Sequence, residues 1–473
     1  MSIALRTIDA AASRLGFVSP RLRESAREEH LLLLDSMESG LARASMSMQG
    51  YGRIAALARI EGPELDEESL ARALVALRRR HRLLRRSVRR TFLGLALGPC
   101  RKLSPVSVRT TDDDEGWRSL WAELEAKPLV EGEPLVSLHV LKHRSDPRRA
   151  DLLLVLEHIV GDGASLVALG REILGLIHPE SLAAGATPSE PERFVPTVVT
   201  MSADRVGGRA RGLVRLARQM AAVAERDRDY PHVRLPRRHG ERFHTAETYV
   251  AYRDLDEAFR LALEQRARRE RCSTATAFVS AVAIAMAERE HRFGERRPTY
   301  HVMPHVSVDL RGRYRKPVSH GDLGVHISTV DPHVLVSAEE LEGGDPALIF
   351  RLARALRAEL KELLANGTDR HFLTSLAAGL GMVIPRLAPE RSLGSFVFTD
   401  AAGFPVPGRL GSFEVRSVGA LANCRAHSMP YVVTTRSAER TRLAVMAPTP
   451  AFSPADVDYV IERARVHLER ALG

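Results

Sequence analysis

A short apolar run, followed at once by a glycine-containing turn and an amphipathic helix, is the feature that most constrains the fold. Residues 152–156 read LLLVL, an unbroken apolar run of strand length, which is typical of a strand in the middle of a sheet. Residues 157–163 (EHIVGDG) carry polar side chains and two glycines, and 164–177 (ASLVALGREILGLI) have apolar residues at helical spacing. This order predicts a strand, a tight turn and a helix. In α/β folds such a junction lies at the rim of a sheet, where ligand sites often form.

Helical and strand-like patterns alternate along much of the remaining sequence. A helix is predicted over 66–82, with Asp66 as its N-cap. The last helix is predicted to begin with Ser453 as N-cap, Pro454 in its first turn and Asp456 completing a capping-box-like start. The other predicted helices are 115–126, 254–269, 273–290, 346–365 and 370–380. The strand patterns cover 84–97, 135–142, 299–308, 325–330, 395–400 and 431–447, and SDPRRA (145–150) is predicted as a turn.

This mixture predicts an α/β (α+β) fold made of two lobes. Residues 178–198 are rich in Pro, Ala and polar side chains and are the predicted linker. We therefore expect an N-terminal lobe over 1–190 and a C-terminal lobe over 191–473. The segment 206–226 is a basic amphipathic helix candidate, which either packs on its own lobe or lies on a membrane or partner.

The charge balance is basic, with 69 Lys and Arg against 59 Asp and Glu, a net charge of +10. Much of the excess is arginine, as in RRRHRLLRRSVRR (78–90). This burst is either an anion-binding patch or the solvated face and end of a helix, where cations are favourable. Because no zinc-finger spacing or basic-aromatic motif accompanies it, we expect no nucleic-acid function. A basic surface also suits a phosphate-bearing donor such as coenzyme A, or an acidic carrier protein.

Cysteine usage and hydropathy bear on the compartment. Cys100, Cys272 and Cys424 are odd in number and far apart, which disfavours a disulfide framework or a zinc ribbon and favours a reducing compartment. The first residues contain no continuous apolar stretch of the kind that a secretory signal needs. No run of about 18 apolar residues occurs, so no membrane-spanning helix is predicted. We expect a cytoplasmic protein without integral membrane contact.

The segment after the buried strand carries the residues most suited to chemistry. His158 has an unperturbed pKa near neutrality and can accept a proton at working pH. Gly161 and Gly163 permit a turn that could aim this ring into a cleft. From these residues alone, His158 is equally a satisfied histidine in a turn, and Asp162 a helix N-cap. Two ligands are too few for a metal site, so no metal is expected.

Residues 158–165 (HIVGDGAS) resemble the HxxxDG active-site motif of the condensation-domain superfamily. This group includes peptide-synthetase condensation domains, polyketide-associated acyltransferases, wax ester synthase-like enzymes and chloramphenicol acetyltransferase relatives. Other segments resemble the family's further elements in family order and so extend the similarity over nearly the whole chain. They are 29–40 (EHLLLLDSMESG), 65–88 (LDEESLARALVALRRRHRLLRRSV), 272–287 (CSTATAFVSAVAIAMA), 303–328 and the ending from Met429.

The resemblance implies two chloramphenicol-acetyltransferase-like lobes arranged as a V with a tunnel between them. It implies an acyltransferase in which His158 is the general base. The donor would be acyl-CoA or an acyl or peptidyl group on a phosphopantetheinyl carrier protein, with no tightly bound cofactor, and the acceptor a small alcohol or amine. Secondary metabolism or lipid modification is the expected setting, and a monomer the expected state. The alternative is a non-catalytic recruitment module of the same fold that binds a carrier protein or partner enzyme.

The resemblance also assigns roles to other site residues. Asp162 is expected to form a structural ion pair with Arg311, with Arg313 as the second choice. The amide of Gly163 is a candidate oxyanion donor or a plain turn glycine. Ser165 and Thr399 are further candidates for oxyanion or substrate contact.

Three positions depart from the family patterns. Glu157 stands where peptide synthetases have the first histidine of HHxxxDG, and Val325 where relatives often have Asn. The DFGWG motif is absent, and 395–400 (SFVFTD) is the nearest segment.

Overall fold

The structure, a computed structural model, describes residues 31–34, 36–47, 50–177, 231–237, 246–314, 318–319, 321–368, 394–425, 427–438 and 440–473. Within these ranges the chain forms nine α-helices and four β-sheets. The helices are α1 (Ser36–Ser47), α2 (Glu67–Arg80), α3 (Trp117–Glu125), α4 (Gly163–Leu176), α5 (Glu257–Arg269), α6 (Thr274–Phe293), α7 (Ala338–Gly343), α8 (Leu348–Ala365) and α9 (Pro454–Leu472).

The strands fall into two large and two small sheets. They are β1 (Leu32–Leu33), β2 (Arg53–Glu61), β3 (Arg86–Thr91), β4 (Gly94–Pro99), β5 (Val106–Thr111), β6 (Val136–His143), β7 (Asp146–Glu157), β8 (Glu247–Leu255), β9 (Thr299–Val302), β10 (Pro304–Asp309), β11 (Ile327–Val330), β12 (Val334–Ser337), β13 (Phe396–Asp400), β14 (Arg409–Leu410), β15 (Phe413–Ala422), β16 (Tyr431–Arg436) and β17 (Thr441–Thr449). The small sheets have the orders β1-β4-β3 and β12-β9.

The first large sheet is built around the predicted buried strand. Its order is β14-β15-β2-β7-β6-β5, with only β5 and β6 parallel. Leu152, Leu154 and Leu156 of β7 point to a core shared with helices α2 and α4, whereas Leu153 and Val155 point to the opposite face. The apolar run is therefore buried on both faces, as predicted, and each fully buried leucine contributes about 1.5–3 kcal/mol.

The second large sheet has the order β11-β10-β13-β16-β17-β8, in which β10, β13 and β16 run parallel. Helices α6, α8 and α9 form a buried cluster with one face of this sheet, in which α9 packs on β8 and β17 and α6 contacts both α8 and α9. Residues 277–287 of α6 are buried on every side, and their alanines allow the neighbouring helices to approach closely. The structure thus confirms the predicted mixed α/β architecture.

The free faces of the two large sheets pack against each other. Ala55 of β2 and Val155 of β7 share a buried cluster with Val433 of β16 and Met446 of β17. At one end of this seam, the backbone N–H of Thr248 in β8 donates to Glu125 of α3 at 2.7 Å. The turn that carries the HxxxDG segment lies at this same end, because Arg53, which pairs with Glu157 before the turn, donates to the carbonyl oxygen of Lys127 just after α3.

The chain does not divide simply at residue 190. Strands β14 and β15 come late in the sequence but pair with β2, in the first sheet, from Ala422↔Ile54 to Glu414↔Glu61. The assignment of all of 191–473 to the second lobe is therefore wrong for 409–422. The residues of β15 largely alternate between buried and exposed, as expected for a strand with one face in the core. By pairing with β2, β15 satisfies backbone hydrogen-bonding groups at an edge of β2 that would otherwise be unpaired.

Local capping signals were good predictors of helix starts. The Asp66 side chain accepts from the Ser69 N–H at 2.7 Å, and Ser273 forms a capping box with Thr276. Ser453 occupies the N-cap of α9 and Pro454 the first turn, but Ser453 makes no side-chain cap. The predicted role of Asp456 there is also wrong, because its carboxylate accepts from Arg289 of α6 instead.

Two element boundaries differ from prediction. The turn predicted over 145–150 is shorter, because β7 already begins at Asp146 and the hairpin needs only residues 144 and 145 to reverse the chain. Residues 254 and 255 close strand β8 rather than opening helix α5, since β8 pairs with β17 along its whole length. Tertiary pairing overrides local propensity at both places.

The arginine burst is only in part a solvated helix end. Arg78, at the end of α2, is 7% exposed and donates to three carbonyl oxygens, those of Leu84, Cys100 and Lys102. Arg80 and His81 contact Glu172 of α4. These contacts attach the end of α2 to α4 and to the loops near β3 and β4, so this part of the burst is structural.

Several sequence predictions lie outside the described residues. They are the linker 178–198, the amphipathic helix 206–226, the helix 370–380 and the boundary at residue 190. Among the described helices, none combines the length and apolar character that crossing a bilayer requires. The three cysteines are buried free thiols.

Candidate active site

His158 lies directly after the last residue of β7. Its backbone N–H donates to the carbonyl oxygen of Gly52 at 2.8 Å, which extends the β2–β7 ladder by one bond beyond the Arg53↔Glu157 pair. Gly52 has φ of +89°, a conformation that other residues rarely adopt. The glycine therefore lets the turn before β2 bring its carbonyl to His158, and the histidine is fixed through its backbone.

The His158 ring is half-buried, and it makes no side-chain hydrogen bond with any described residue. Of its two ring nitrogens, only Nδ1 is enclosed without a partner. The other nitrogen therefore stays accessible. A ring held by its backbone, with one nitrogen uncommitted, is suited to proton transfer with a small molecule.

Asp162 caps helix α4 and at the same time forms a buried ion pair. Its carboxylate accepts the Ser165 N–H at 2.9 Å and two hydrogen bonds from Arg311, at 2.8 and 3.0 Å. Both side chains are 1% exposed. Burial alone would raise the pKa of Asp162, but the charge and hydrogen bonds of Arg311 outweigh it and lower that pKa to about 2. Both roles that the sequence suggested for Asp162, N-cap and ion pair, are thus present in one carboxylate.

Arg311 crosses between the lobes to reach Asp162. It comes from the short turn after β10, and its second terminal nitrogen also donates to the Ser165 hydroxyl at 2.9 Å. Ser165 is fully buried, so the structure places it inside the ion-pair network and away from any open surface. Arg313 points elsewhere and donates to the carbonyl of Leu364.

Gly163 and Thr399 lie close together on opposite sides of the seam. A Cβ at Gly163 would come 3.8 Å from the Thr399 methyl group. Gly163 is the first residue of α4, where backbone N–H groups lack intrahelical acceptors. Thr399 of β13 shares a 3.0 Å hydrogen bond with Ser307 of β10. The first residue of α4, five positions after His158 in the chain, therefore approaches β13 of the second sheet across the seam.

Glu157 serves the first lobe and does not face this space. Its carboxylate accepts from Arg53 and, at 2.8 Å, from the Ser45 hydroxyl of α1. It is 4% exposed. Where relatives carry the first histidine of the motif, this chain has an acid that joins β2, β7 and α1.

Three further rings, those of Tyr51, His427 and Tyr431, form a cluster next to Gly52, whose carbonyl oxygen fixes His158, and sequence reasoning missed them. The ring centroid of His427 is 4.7 Å from that of Tyr51 and 4.5 Å from that of Tyr431. Burial, and then the charge of His158, lowers the pKa of His427 to about 3, so this ring is neutral. Burial raises the pKa of Tyr51 to about 12. Sequence spacing cannot relate residues that lie so far apart in the chain. Only the glycines at 50 and 52 marked the region around Tyr51 as a turn.

No described group of His, Cys, Asp and Glu side chains is arranged to hold a metal ion. The sequence matches no protein-family model and no curated protein. Solved structures do match it. The first condensation domain of the calcium-dependent antibiotic synthetase, with a substrate analogue, shares 17% identity at a TM-score of 0.66, covering 94% of this chain and 97% of that one.

Two further solved structures match over a similar length. Trichothecene 15-O-acetyltransferase from Fusarium sporotrichioides gives a TM-score of 0.67 at 10% identity, over 92% of this chain and 94% of that one. Polyketide synthase associated protein 5 from Mycobacterium tuberculosis gives 0.63 at 16%, over 93% and 96%. At these identities the likeness shows the fold. The chain has the two-lobe, chloramphenicol-acetyltransferase-like fold of condensation domains and related acyltransferases, as the motif resemblance implied.

Proposed function

We propose that the protein is an acyltransferase that moves an acyl group from a thioester to a hydroxyl or amine, with His158 as general base. The observation that carries this proposal is the placement of His158. Its ring lies where the two lobes meet, fixed by the Gly52 carbonyl, with one nitrogen accessible. Four residues later, the Asp162–Arg311 pair joins the lobes on the same side.

The chemistry balances without an acyl-enzyme intermediate. The accessible nitrogen of His158 takes the proton of the acceptor O–H or N–H as that atom attacks the thioester carbonyl carbon. The tetrahedral intermediate then expels the thiolate by breaking its C–S bond, and the imidazolium returns the proton to sulfur. General-base catalysis of this kind contributes roughly 10²–10⁴-fold in rate. Holding both substrates in line offsets about 7–11 kcal/mol of the barrier.

Charge develops on the carbonyl oxygen during this attack. The amide of Gly163, at the N-terminal end of α4, is the backbone donor that we assign to it, because helix N-termini favour anions. Thr399 is the adjacent side-chain contact to substrate. Ser165, by contrast, is placed to hold Asp162 and Arg311 in position.

Two of the similar structures support acyl transfer as the reaction class. One is an O-acetyltransferase by name, and the other is a condensation domain in complex with a substrate analogue. We propose that the donor is acyl-CoA or an acyl or peptidyl group on a separate phosphopantetheinyl carrier protein, in secondary metabolism or lipid modification. A cytoplasmic location and a monomeric state complete the proposal.

Thiol release provides a direct test. The full-length protein would be mixed with acetyl-, octanoyl- or palmitoyl-CoA, or with the same acyl groups on a carrier protein. Acceptors would be offered as matched pairs, such as 1-octanol with octylamine, so that ester and amide formation are compared on one skeleton. We expect release only with donor and acceptor together, and mass spectrometry to find the product.

His158→Ala gives the decisive comparison. We expect a folded protein whose transfer rate is at least roughly a hundredfold lower. His467→Ala removes a histidine of α9 that pairs with Glu288, away from the seam, and is expected to keep normal transfer. Equal turnover by the His158→Ala protein and the wild type would place the base elsewhere. Binding of a loaded carrier without turnover by either protein would instead indicate a recruitment module.

A further inference from the structure

The ring of His427 lies against Tyr51, the residue that precedes Gly52, whose carbonyl oxygen accepts from the backbone of His158. It belongs to the connection between β15, in the first sheet, and β16, in the second, so it enters the seam where the chain passes from one lobe to the other. Its backbone N–H donates to the Cys424 carbonyl at 2.9 Å, which fixes the connection. Burial, and then the charge of His158, lowers the pKa of His427.

Two tyrosines hold the His427 ring in place. Tyr51 lies against it at a tilt of 32°, and Tyr431 meets it at 63°. The Tyr431 hydroxyl lies 3.2 Å from Nδ1 of His427. Burial raises the pKa of Tyr431 well above its ordinary value, so this hydroxyl keeps its proton and can donate it to Nδ1. A neutral imidazole that accepts at Nδ1 carries its own proton on Nε2.

The remaining side of this ring is open. His427, Tyr51 and Tyr431 each keep part of their surface accessible, although burial dominates their pKa values. This combination is typical of side chains that line an internal space. Among the described residues, no group accepts a hydrogen bond from Nε2 of His427.

We propose that His427 binds substrate, donating a hydrogen bond from Nε2 to the carbonyl oxygen of the acyl thioester while Tyr431 holds its Nδ1. This inference rests on the acyltransferase function proposed above and names a second oxygen-binding group for it. The Gly163 amide, beside Thr399, would approach from the α4 side, and His427 from the β15–β16 connection.

The electrostatics of the reaction favour the carbonyl oxygen over the acceptor atom. The acceptor atom needs its lone pair for attack, and a hydrogen bond donated to it would weaken that attack. The carbonyl oxygen, in contrast, gains negative charge in the transition state and is stabilised by fixed donors. His158 becomes an imidazolium at the same moment, so a second cation nearby would be unfavourable. A histidine that stays neutral supplies the donor without that cost.

Three substitutions at this position separate the donor from the ring. His427→Phe keeps a planar ring between the tyrosines but has no N–H. His427→Gln can place an amide N–H near the former Nε2, whereas His427→Asn, one carbon shorter, places it near the former Nδ1. Tyr431→Phe keeps the stack and removes the group that holds the tautomer. Circular dichroism melts would identify any variant that fails to fold.

Kinetics and binding then give independent readouts. We expect His427→Phe to lower kcat/KM about 10²-fold, the usual effect of losing one oxyanion donor, with partial recovery in His427→Gln and none in His427→Asn. We expect a smaller loss for Tyr431→Phe. Calorimetry would compare two inert octanoyl-CoA analogues, a ketone that retains the carbonyl oxygen and a thioether that lacks it. His427→Phe should weaken binding of the ketone alone.

The outcomes distinguish this inference from the function on which it rests. If wild type transfers acyl groups and His158→Ala does not, while His427→Phe retains full kcat/KM and full ketone affinity, His427 binds no carbonyl oxygen and only this inference fails. Equal weakening of ketone and thioether binding would also overturn it, because the ring would then serve packing alone. If wild type transfers no acyl group from any donor, the acyltransferase function fails and takes this inference with it.

Discussion

Arg311 of the second lobe holds Asp162 of the first through two hydrogen bonds of 2.8 and 3.0 Å, with both side chains almost completely buried. If either side chain is removed, the charge that remains is shielded from water. The pair also fixes the start of α4, since the same carboxylate caps that helix. Stability of the fold and geometry of the His158 turn are therefore linked through one contact.

The first prediction concerns this ion pair. Asp162→Asn should lower the free energy of unfolding by about 3–5 kcal/mol, because it removes the buried carboxylate that accepts two hydrogen bonds from Arg311 and leaves that cation only its longer 3.3 Å contact with Asp309. Denaturant titration would measure the loss. Arg72→Ala is the matched control, since Arg72 pairs with Glu68 on an exposed helix face, and it should cost less than about 0.5 kcal/mol. Equal stability of Asp162→Asn and wild type would show that the pair contributes nothing.

The second prediction concerns the amide of Gly163. Proline at this position removes the N–H, suits the first turn of a helix and follows a residue with extended backbone, so the fold should survive. We expect the transfer rate to fall about 10²–10³-fold. Gly163→Ala keeps the amide, and its Cβ would make an ordinary contact with Thr399, so it should act like wild type. Similar rates for the Pro and Ala variants would remove the amide from the mechanism.

The third prediction is a pH dependence of stability set by Glu125. Burial raises the pKa of this carboxyl to about 7, and the Thr248 N–H that it accepts offsets only part of the effect. In the unfolded chain the group ionises near 4.5. Stability should therefore fall as pH rises from about 4.5 to 7, by on the order of 3 kcal/mol.

Glu125→Gln isolates this effect. The amide mimics the protonated acid, so the variant should equal wild type at pH 4 and exceed it at pH 8 in denaturant midpoint. Glu123→Gln on the same helix should behave in the opposite sense. Hydrogen bonds from Arg109 and Lys127 lower the pKa of Glu123 to about 2, so its stabilisation exists above 4.5 and fades as pH falls toward 2. Parallel pH curves for wild type and Glu125→Gln would contradict the assignment.

The fourth prediction concerns Glu157. Glu157→His restores the motif's first histidine but leaves Arg53 and Ser45 without their buried acceptor. We expect a loss of about 3–5 kcal/mol in stability and no gain in transfer rate. Thermal melts and the thiol-release assay would measure both. A faster enzyme of normal stability would show that the motif histidine, rather than the ion pair, is what this position needs.

Local signals in the sequence were sufficient for the unit that carries His158. The apolar run of β7, the glycines of the turn and Asp162 before α4 all act over a few residues, so pattern and spacing describe them well. The partner of Asp162 came from the family resemblance, because nothing local links positions 162 and 311. The helix caps at Asp66 and Ser273 could be predicted from the sequence in the same way.

Long-range pairing accounts for what the sequence did not predict. Residues 413–422 alternate like any strand, and nothing local shows that their partner is β2 rather than a neighbour in the chain. Tyr51 and His427 meet only because the pairing of β15 with β2 brings the β15–β16 connection back to the start of β2. Their residue types gave no motif. The Asp456 carboxylate likewise accepts from Arg289 of α6 rather than capping its own helix, because α6 and α9 pack together.

The return of β15 to β2 has a consequence for how the protein is made. While the ribosome is still translating the middle of the chain, the first sheet lacks the strand that covers β2, and that edge stays open to any extended peptide. Its closure must wait until residue 422 has emerged from the exit tunnel. The open edge of β2 is thus exposed to misassociation during much of the synthesis of the chain. A chaperone that shields sheet edges would have the most time to act on it during this period.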